Sequence, residues 1–508
     1  MEILSSLSTL ILATLIIVLL FKFFAAVHRQ QTYWKNHNVP YVKISWFSSP
    51  SWQFLFRKTS FIEYSKFLYY YNPDVKYIGT MDFTLPNVLL RDPELIRDVS
   101  IKNFDHFTDH RSIISEDADP MFSKNVFSLR GERWRQMRNI LTPSFTAAKM
   151  KFIFQLSSKC SEQFVDYLLD HPKYLTSIDA RDMFNRFTID VIASVAFGVN
   201  VNSMKDRENE FFVKGKDVFS SSFNSMVKLL ALRFFPRLVK LAGITVIPTD
   251  TTNFFRKVIA NNLKERKEQD IVRPDMLHLL TQAKDKTTTH ELTIDDITSQ
   301  AFLFFLGGSD SLANLLCYMV HELAVNPNIQ ERLHEEVNHY FEEMKGEISY
   351  ETLSKMEYMD MVISETLRKY PSLVFIDRVC TKKFEFPPAA PGYDGAILYP
   401  DETIWIPVYA MHHDPKYFPE PEKFDPERFS AKNKDNIVPY AYLPFGTGPR
   451  KCIGDRFVQM LVKILMAEFL HKFKIKTTEK TQNPLVFRID SFTPFPEKGF
   501  WIGLERRS

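Results

Sequence analysis

The chain has 508 residues, 45% hydrophobic and 25% charged, with a formal net charge of +3. That length supports a large core, and a near-balanced charge with no basic cluster argues against nucleic-acid binding. Four scattered cysteines, Cys160, Cys317, Cys380 and Cys452, contain no Cys-x-x-Cys pair, which argues against a disulfide scaffold and against a multi-cysteine zinc or iron–sulfur site.

At the N-terminus, Ile3–Phe21 carries no charge. At about 1.5 Å per residue such a run just crosses a hydrocarbon core of about 30 Å. Glu2 precedes it and Lys22, His28, Arg29 and Lys35 follow, so the positive-inside rule leaves the rest of the chain in the cytosol. A cleaved signal peptide fits less well, because the leading region is acidic and no clear cleavage site follows. The expected organisation is a transmembrane anchor over 1–22, a linker over 23–50 and a catalytic body over 51–508.

Val75–Ile78 and Asn87–Leu90 read as short strands and Pro93–Ser100 as helical. From Gly131 to about Lys369 the pattern is dominantly helical, with runs at Trp134–Leu141, Phe152–Leu169, Met183–Ala196, Thr298–Ala324 and Ile329–Met344. Asp295 near the start of the longest run and Pro327 past its end suit helix boundaries. Met226–Ile247 is apolar but interrupted by Lys228, Arg233, Arg237 and Lys240. It is too charged to span a membrane, and an interfacial helix and an ordinary amphipathic pair both fit. After Arg378, Phe384–Pro388 and Ile397–Ile406 alternate like strands, and Phe457–Phe473 is helical again. The expected class is mainly α with small β-sheets.

Glycine is scarce, 15 in all, and five fall in two short segments: Gly307 and Gly308, then Gly446, Gly448 and Gly454. In Phe445-Gly446-Thr447-Gly448-Pro449-Arg450-Lys451-Cys452-Ile453-Gly454 the glycines and proline force a tight turn just before a helix. A cysteine beside a helix N-terminus, Arg450 and Lys451 is expected to have a lowered pKa, with backbone N–H groups on its sulfur. The chemistry alone says stabilised thiolate, nucleophile or metal ligand, or else a plain turn cysteine.

This segment matches the haem-binding signature of the cytochrome P-450 family, Phe-x-x-Gly-x-Arg-x-Cys-x-Gly, at every defined position, and the chain resembles that family over nearly its whole length. The resemblance implies haem b between the long central helix and the cysteine-loop helix, with Cys452 as the axial thiolate. It implies that Phe445 packs beside the sulfur and that Arg450 meets a haem propionate.

Four further motifs follow the family's order. Trp134-Arg135-Gln136-Met137-Arg138 places Trp134 and Arg138 four apart, a pair the family sets against a propionate; a surface Trp–Arg stack is the plainer reading. Gly307-Gly308-Ser309-Asp310-Ser311 resembles the Ala/Gly-Gly-x-Asp/Glu-Thr motif, which implies a groove for O2 and proton delivery by Asp310 and Ser311. Serine in place of threonine keeps the hydroxyl and loses the methyl that fixes its rotamer. Glu365-Thr366-Leu367-Arg368 and, further on, Arg428 match the family's structural Glu–Arg–Arg network, in which buried charges must be paired. Arg378 is a further propionate candidate, as is His110 or its neighbour Arg111.

The 46 phenylalanines mostly serve the core. The pocket candidates are Phe122 and Phe127, Phe302, Phe305 and Leu306 before Gly307, then Val374, Phe375 and Phe492, together implying a large apolar pocket. The resemblance implies a monooxygenase of the microsomal type, closest in texture to the insect detoxification branch. It would act on small lipophilic molecules with O2 on the cytosolic face of the endoplasmic reticulum membrane. Electrons would come from an NADPH–cytochrome reductase, with cytochrome b5 as a further partner. A basic patch of Arg133, Arg135, Arg138, Lys451 and Lys463 would dock the reductase. The alternatives are an endogenous lipid or hormone-like substrate, a haem-thiolate rearrangement enzyme, and a non-catalytic haem sensor. Retention of Asp310 and Ser311 argues against the last two.

Overall fold

The computed structural model describes residues 32–43, 58–82, 85–111, 119–172, 175–218, 245–271, 273, 275–286 and 292–507, with isolated positions at 14, 17–18, 21–22, 24–25, 28, 114, 231 and 239. The apolar stretch Ile3–Phe21 and most of Met226–Ile247 lie outside the described residues.

A long helix, Ile294–Val325, runs through the core. Its N-terminus is a capping box in which Thr293 and Asp296 each satisfy the other's backbone N–H, with Asp295 also in the positive first turn. Beyond its C-terminus, Pro327 opens the next helix, Pro327–Glu343. Among the described residues it is the one helix long and apolar enough to cross a membrane, and most of its apolar window is buried in the protein. Apolar side chains all round mark a core helix. Helices Ala180–Ile192, Glu357–Lys369 and Asp455–Lys472 pack against it.

The helical body is flanked by small sheets. One has the order β1(Tyr77–Asp82)–β2(Leu85–Leu90)–β7(Thr403–Ile406)–β4(Ile376–Val379). In its register, Val88 lies opposite Ile404 on parallel strands, and Arg378 lies opposite Ile404 on antiparallel ones. A second sheet joins β3(Ile178–Asp179), β9(Trp501–Arg506) and β8(Phe473–Lys476); β5(Phe384–Pro388) pairs with β6(Gly395–Leu398).

Two sequence expectations change. Ile397–Ile406 is two strands in different sheets, because the chain turns at Asp401, whose φ is +73°. Residues 32–43, inside the expected linker, belong to the body. Trp34 is buried, its indole N–H donates to the Thr80 carbonyl at 2.8 Å, and Tyr41 bridges to Gly79.

Candidate active site

The cysteine loop is shaped by two left-handed glycines, Gly446 (φ +72°) and Gly448 (φ +73°). A Cβ on Gly448 would sit 2.1 Å from the Ser100 carbonyl oxygen, so the loop lies against the backbone of the Asp98–Lys102 turn. The Cys452 N–H donates to Phe445 O at 2.9 Å, closing the loop before helix Asp455–Lys472 begins. Cys452 alone of the four cysteines is exposed. The Gly454 N–H, Arg138 and Lys451 all act to lower its pKa, but burial of the sulfur among surrounding atoms outweighs them and Asp455 adds to the rise. The thiol therefore lies above its usual range, not below it as the sequence suggested. The Arg450 guanidinium is instead engaged elsewhere.

That guanidinium lies 4.1 Å from the centre of the Trp134 ring. It donates to Thr108 O (2.7 Å), Leu129 O (2.8 Å) and Asp109 Oδ1 (3.2 Å), with longer bonds to Val126 O and Phe127 O. Burial and neighbouring Arg378 pull its pKa down to about 9, against the pull of Asp109. Trp134 thus stacks on Arg450 and not on Arg138, whose Nη2 donates to Lys451 O at 2.8 Å. Both residues of the Trp-x-x-x-Arg motif grip the cysteine loop.

Arg378, on β4, is 2% exposed, and burial lowers its pKa to about 10. Its Nη1 donates to Asp377 O at 2.6 Å, while its Nε–H has no acceptor. Such a cation has a donor to spare for an anionic group, since an unmet buried donor costs about 1–3 kcal/mol. His110 lies against Asp377, Nδ1 to Oδ1 at 3.0 Å, and stacks on Phe127 with centroids 4.5 Å apart. Asp377 fixes Nδ1 as the protonated nitrogen. The Arg111 backbone N–H also donates to Asp377, at 2.6 Å. Arg378, His110, Phe127, Arg450, Trp134, Arg138 and the Cys452 loop are thereby brought together.

On the central helix the two glycines do different things. A Cβ on Gly308 would press on Ile192 Cδ1 at 2.8 Å, so Gly308 allows close helix packing; a Cβ on Gly307 would meet nothing within 4 Å. The Ser311 hydroxyl donates to the Gly307 carbonyl. Asp310 is paired with Arg181, which also donates to Asn314. The sequence did not single out Arg181, and it lies 129 positions away.

Phe302 and Phe305 are fully buried among Phe197, Phe211 and Phe255. At about 100° per residue they project from the side opposite Gly307, and Leu303 and Phe304 share its side. Leu306 is half-buried between them. Val374 is likewise core, packed with Ile62 and Tyr409, whereas its neighbour Leu373 is 54% exposed. Phe375 and Phe492 both contact Phe61, with centroids 5.1 and 5.5 Å away. Phe122 packs beside Ile114 and Val239. Lys463 leaves the expected basic patch, since it is buried with its ammonium on Leu353 O and Asp360.

Beneath the loop, Arg368 holds both oxygens of Glu365 at 2.8 and 2.9 Å, with both side chains fully buried. Arg428 Nε approaches Glu365 Oε1 at 3.5 Å. Arg368 also donates to His412 O (2.9 Å) and Pro421 O (2.8 Å), tying the helix Glu357–Lys369 to the segment that leads into the loop.

Known proteins resemble the chain over most of its length. The sequence model of the family described as Cytochrome P450 matches residues 76–500. The chain is 42% identical to "Cytochrome P450 9e2" of Blattella germanica, over 94% of each chain. It is 36% identical to "Probable cytochrome P450 9f2" of Drosophila melanogaster, over 94% of this chain and 95% of the other. It is 34% identical to "Cytochrome P450 6j1" of Blattella germanica, over 94% of each.

Proposed function

The chain belongs to the cytochrome P450 family, and from that premise we propose that it is an NADPH-dependent haem-thiolate monooxygenase of lipophilic small molecules, with Cys452 as the thiolate ligand. The observation that carries this reading is the combination of an exposed cysteine, Cys452, with a buried guanidinium, Arg378, that has a donor to spare. Haem b carries two carboxylates and an iron that can accept a thiolate and still bind O2. Cys452 would take the iron and Arg378, Trp134 and Arg138 would hold the propionates; His110, whose pKa burial lowers and whose Nδ1–H is given to Asp377, has no donor left for them, and Gly307 leaves open space.

When bound, the haem supplies redox-active iron, and a thiolate ligand favours cleavage of the O–O bond. The chain's own residues do the rest. The Gly454 N–H, Arg138 and Lys451 stabilise negative charge on sulfur against the cost of burial. Ser311 holds a proton at Oγ beside the opening at Gly307. Asp310 must part from Arg181 before it can pass a proton to that hydroxyl. Leu303, Phe304, Leu306, Leu373, Phe375, Phe492, Phe122 and Phe127 offer apolar surface for a lipophilic substrate, a class that includes xenobiotics such as plant toxins or insecticides.

The segment 1–22 would anchor the chain in the endoplasmic reticulum membrane with the body on the cytosolic side. Arg133, Arg135, Arg138 and Lys451 would face the reductase, with cytochrome b5 as an accessory donor. The test is the carbon monoxide difference spectrum of the reduced protein in membranes. A strongly red-shifted Soret band, lost in Cys452→Ala, is expected, followed by NADPH consumption with reductase and a lipophilic substrate. A histidine-like band in the native protein would overturn the ligand assignment.

A further inference from the structure

His412 is fully buried at the end of the short helix Val408–His412, with aromatic neighbours on both sides. The Tyr442 ring stacks on it at 5.4 Å, and Phe418 meets it edge-on at 6.1 Å. Both ring nitrogens are engaged. Nε2 is 2.8 Å from the Leu443 backbone nitrogen, and Nδ1 is 3.1 Å from the Arg368 carbonyl oxygen. A peptide N–H can only donate, so Nε2 must carry a lone pair, and Nδ1 then carries the hydrogen and donates to Arg368 O. The bond is returned, since Arg368 Nη1 donates to His412 O at 2.9 Å.

Leu443 is where this matters. Its carbonyl accepts the Gly446 N–H at 3.1 Å, and two residues on, Phe445 O accepts the Cys452 N–H at 2.9 Å. An unbroken series of bonds therefore runs from Glu365 through Arg368, His412 and Leu443 to the backbone of Cys452. Tyr442, next to Leu443, adds a second tie through its hydroxyl to Ser364 O at 2.9 Å. We propose that His412 is a positioning residue that sets the cysteine loop by accepting the Leu443 N–H at Nε2, so that the Glu365–Arg368 helix fixes where the Cys452 sulfur stands. The inference rests on the reading of Cys452 as the haem ligand. Burial and the nearby Arg368 charge push the His412 pKa down to about 3, consistent with a ring that stays neutral. An imidazolium would present a second donor to the Leu443 N–H and break the tie.

Two near-isosteric variants separate the two ring nitrogens. In His412→Gln the side-chain oxygen reaches the place of Nε2 and accepts the Leu443 N–H, while the bond to Arg368 O is lost. In His412→Asn the amide nitrogen takes the place of Nδ1, and Leu443 loses its acceptor. In the full-length protein in membranes, the Gln variant is expected to keep the thiolate-type band of the reduced carbon monoxide complex at close to the native fraction. The Asn variant is expected to lose at least two-thirds of it to the neutral-ligand type. Equal behaviour of Gln and Asn, or retention of the band in His412→Phe, would mean that the ring only fills space, and the proposal falls. Should the variants fail to fold, the native protein still decides. Nitrogen chemical shifts of isotope-labelled histidine in the diamagnetic reduced carbon monoxide complex must show an Nδ1-protonated ring at His412, and an Nε2-protonated ring overturns the inference. Absence of the thiolate band from the native protein is a different failure, since it removes the ligand reading itself.

Discussion

Gly446, Gly448 and Gly454 lie within one loop but differ in what a methyl group would encounter, so alanine at each isolates one cost. At Gly454 the backbone is not left-handed and a Cβ has open space, so Gly454→Ala should change stability by no more than about 0.5 kcal/mol, as at an ordinary surface site. At Gly446 the nearest atom is Ile376 Cδ1 at 3.5 Å, an ordinary contact, and only the left-handed φ of +72° is penalised. That conformation costs an L-residue about 1–2 kcal/mol. At Gly448 the same conformational cost is joined by a Cβ placed 2.1 Å from the Ser100 carbonyl oxygen. Relief requires the loop to lift off the Asp98–Lys102 turn by more than an ångström, and overpacking of that kind adds about 1–3 kcal/mol. The expected order of denaturation midpoints, followed by far-UV circular dichroism, is native ≈ Gly454→Ala > Gly446→Ala > Gly448→Ala. Haem content after purification should follow the same order, with the largest loss in Gly448→Ala. If Gly446→Ala proved as damaging as Gly448→Ala, the Ser100 contact would carry no weight and the reasoning would be refuted.

Three further outcomes are expected. In the haem-free protein, Cys452 should alkylate before Cys160, Cys317 and Cys380, because it alone is exposed, yet at a more alkaline pH than a cysteine in a free peptide; Arg138→Gln should move that midpoint higher still, and mass spectrometry of alkylated peptides across a pH series reads both. Burial and the nearby Glu162 and Asp166 raise Glu468 to about 7, against the pull of Lys472. A raised carboxyl pKa means the folded state holds the extra proton, so this group's contribution is fully present at acid pH and is lost as pH rises towards 7; Glu468→Gln should therefore stabilise the protein more at pH 8 than at pH 5 in parallel urea titrations. Phe305→Ala should cost about 3–5 kcal/mol by opening a cavity in the aromatic core while leaving the ratio of products from a mixed substrate panel unchanged, whereas Leu303→Phe should alter that ratio with little loss of stability; the opposite pattern would put Phe305 back in the pocket.

The reach of the sequence depended on the kind of contact involved. Local patterns carried well: the long apolar run became Ile294–Val325, and the spacing of Glu365 and Arg368 became a buried two-point ion pair. Failures came where the answer depended on distant partners. Nothing near Asp310 announces Arg181, and nothing near Arg450 announces that Thr108 O, Asp109 and Leu129 O take up its donors. The Cys452 pKa was misjudged for a related reason: flanking charges are visible in sequence, but the burial that outweighs them comes from other segments. Phe302 and Phe305 are a different error. Stepping back from Gly307 by three and four residues selects Phe304 and Leu303, so helical geometry alone places these two, and not Phe302 and Phe305, on the side of Gly307. His412 was missed because a histidine closing a short helix before a proline-rich stretch has no motif of its own, and its role comes from Leu443, 31 positions later.

The burial of Trp34 gives the first strand a plug from outside the sheet. A Cβ on Gly79 would lie 2.5 Å from the indole, so the glycine is a socket for that ring. Tyr33, next to it, reaches Glu402 with its hydroxyl at 3.0 Å, fastening the same stretch to the turn before β7. Shortening the chain for soluble production therefore has a natural limit at about residue 31. A cut there removes the apolar leader and keeps the plug, whereas a cut at residue 50, where the expected linker ends, would leave an open socket on an apolar sheet and a protein prone to self-association.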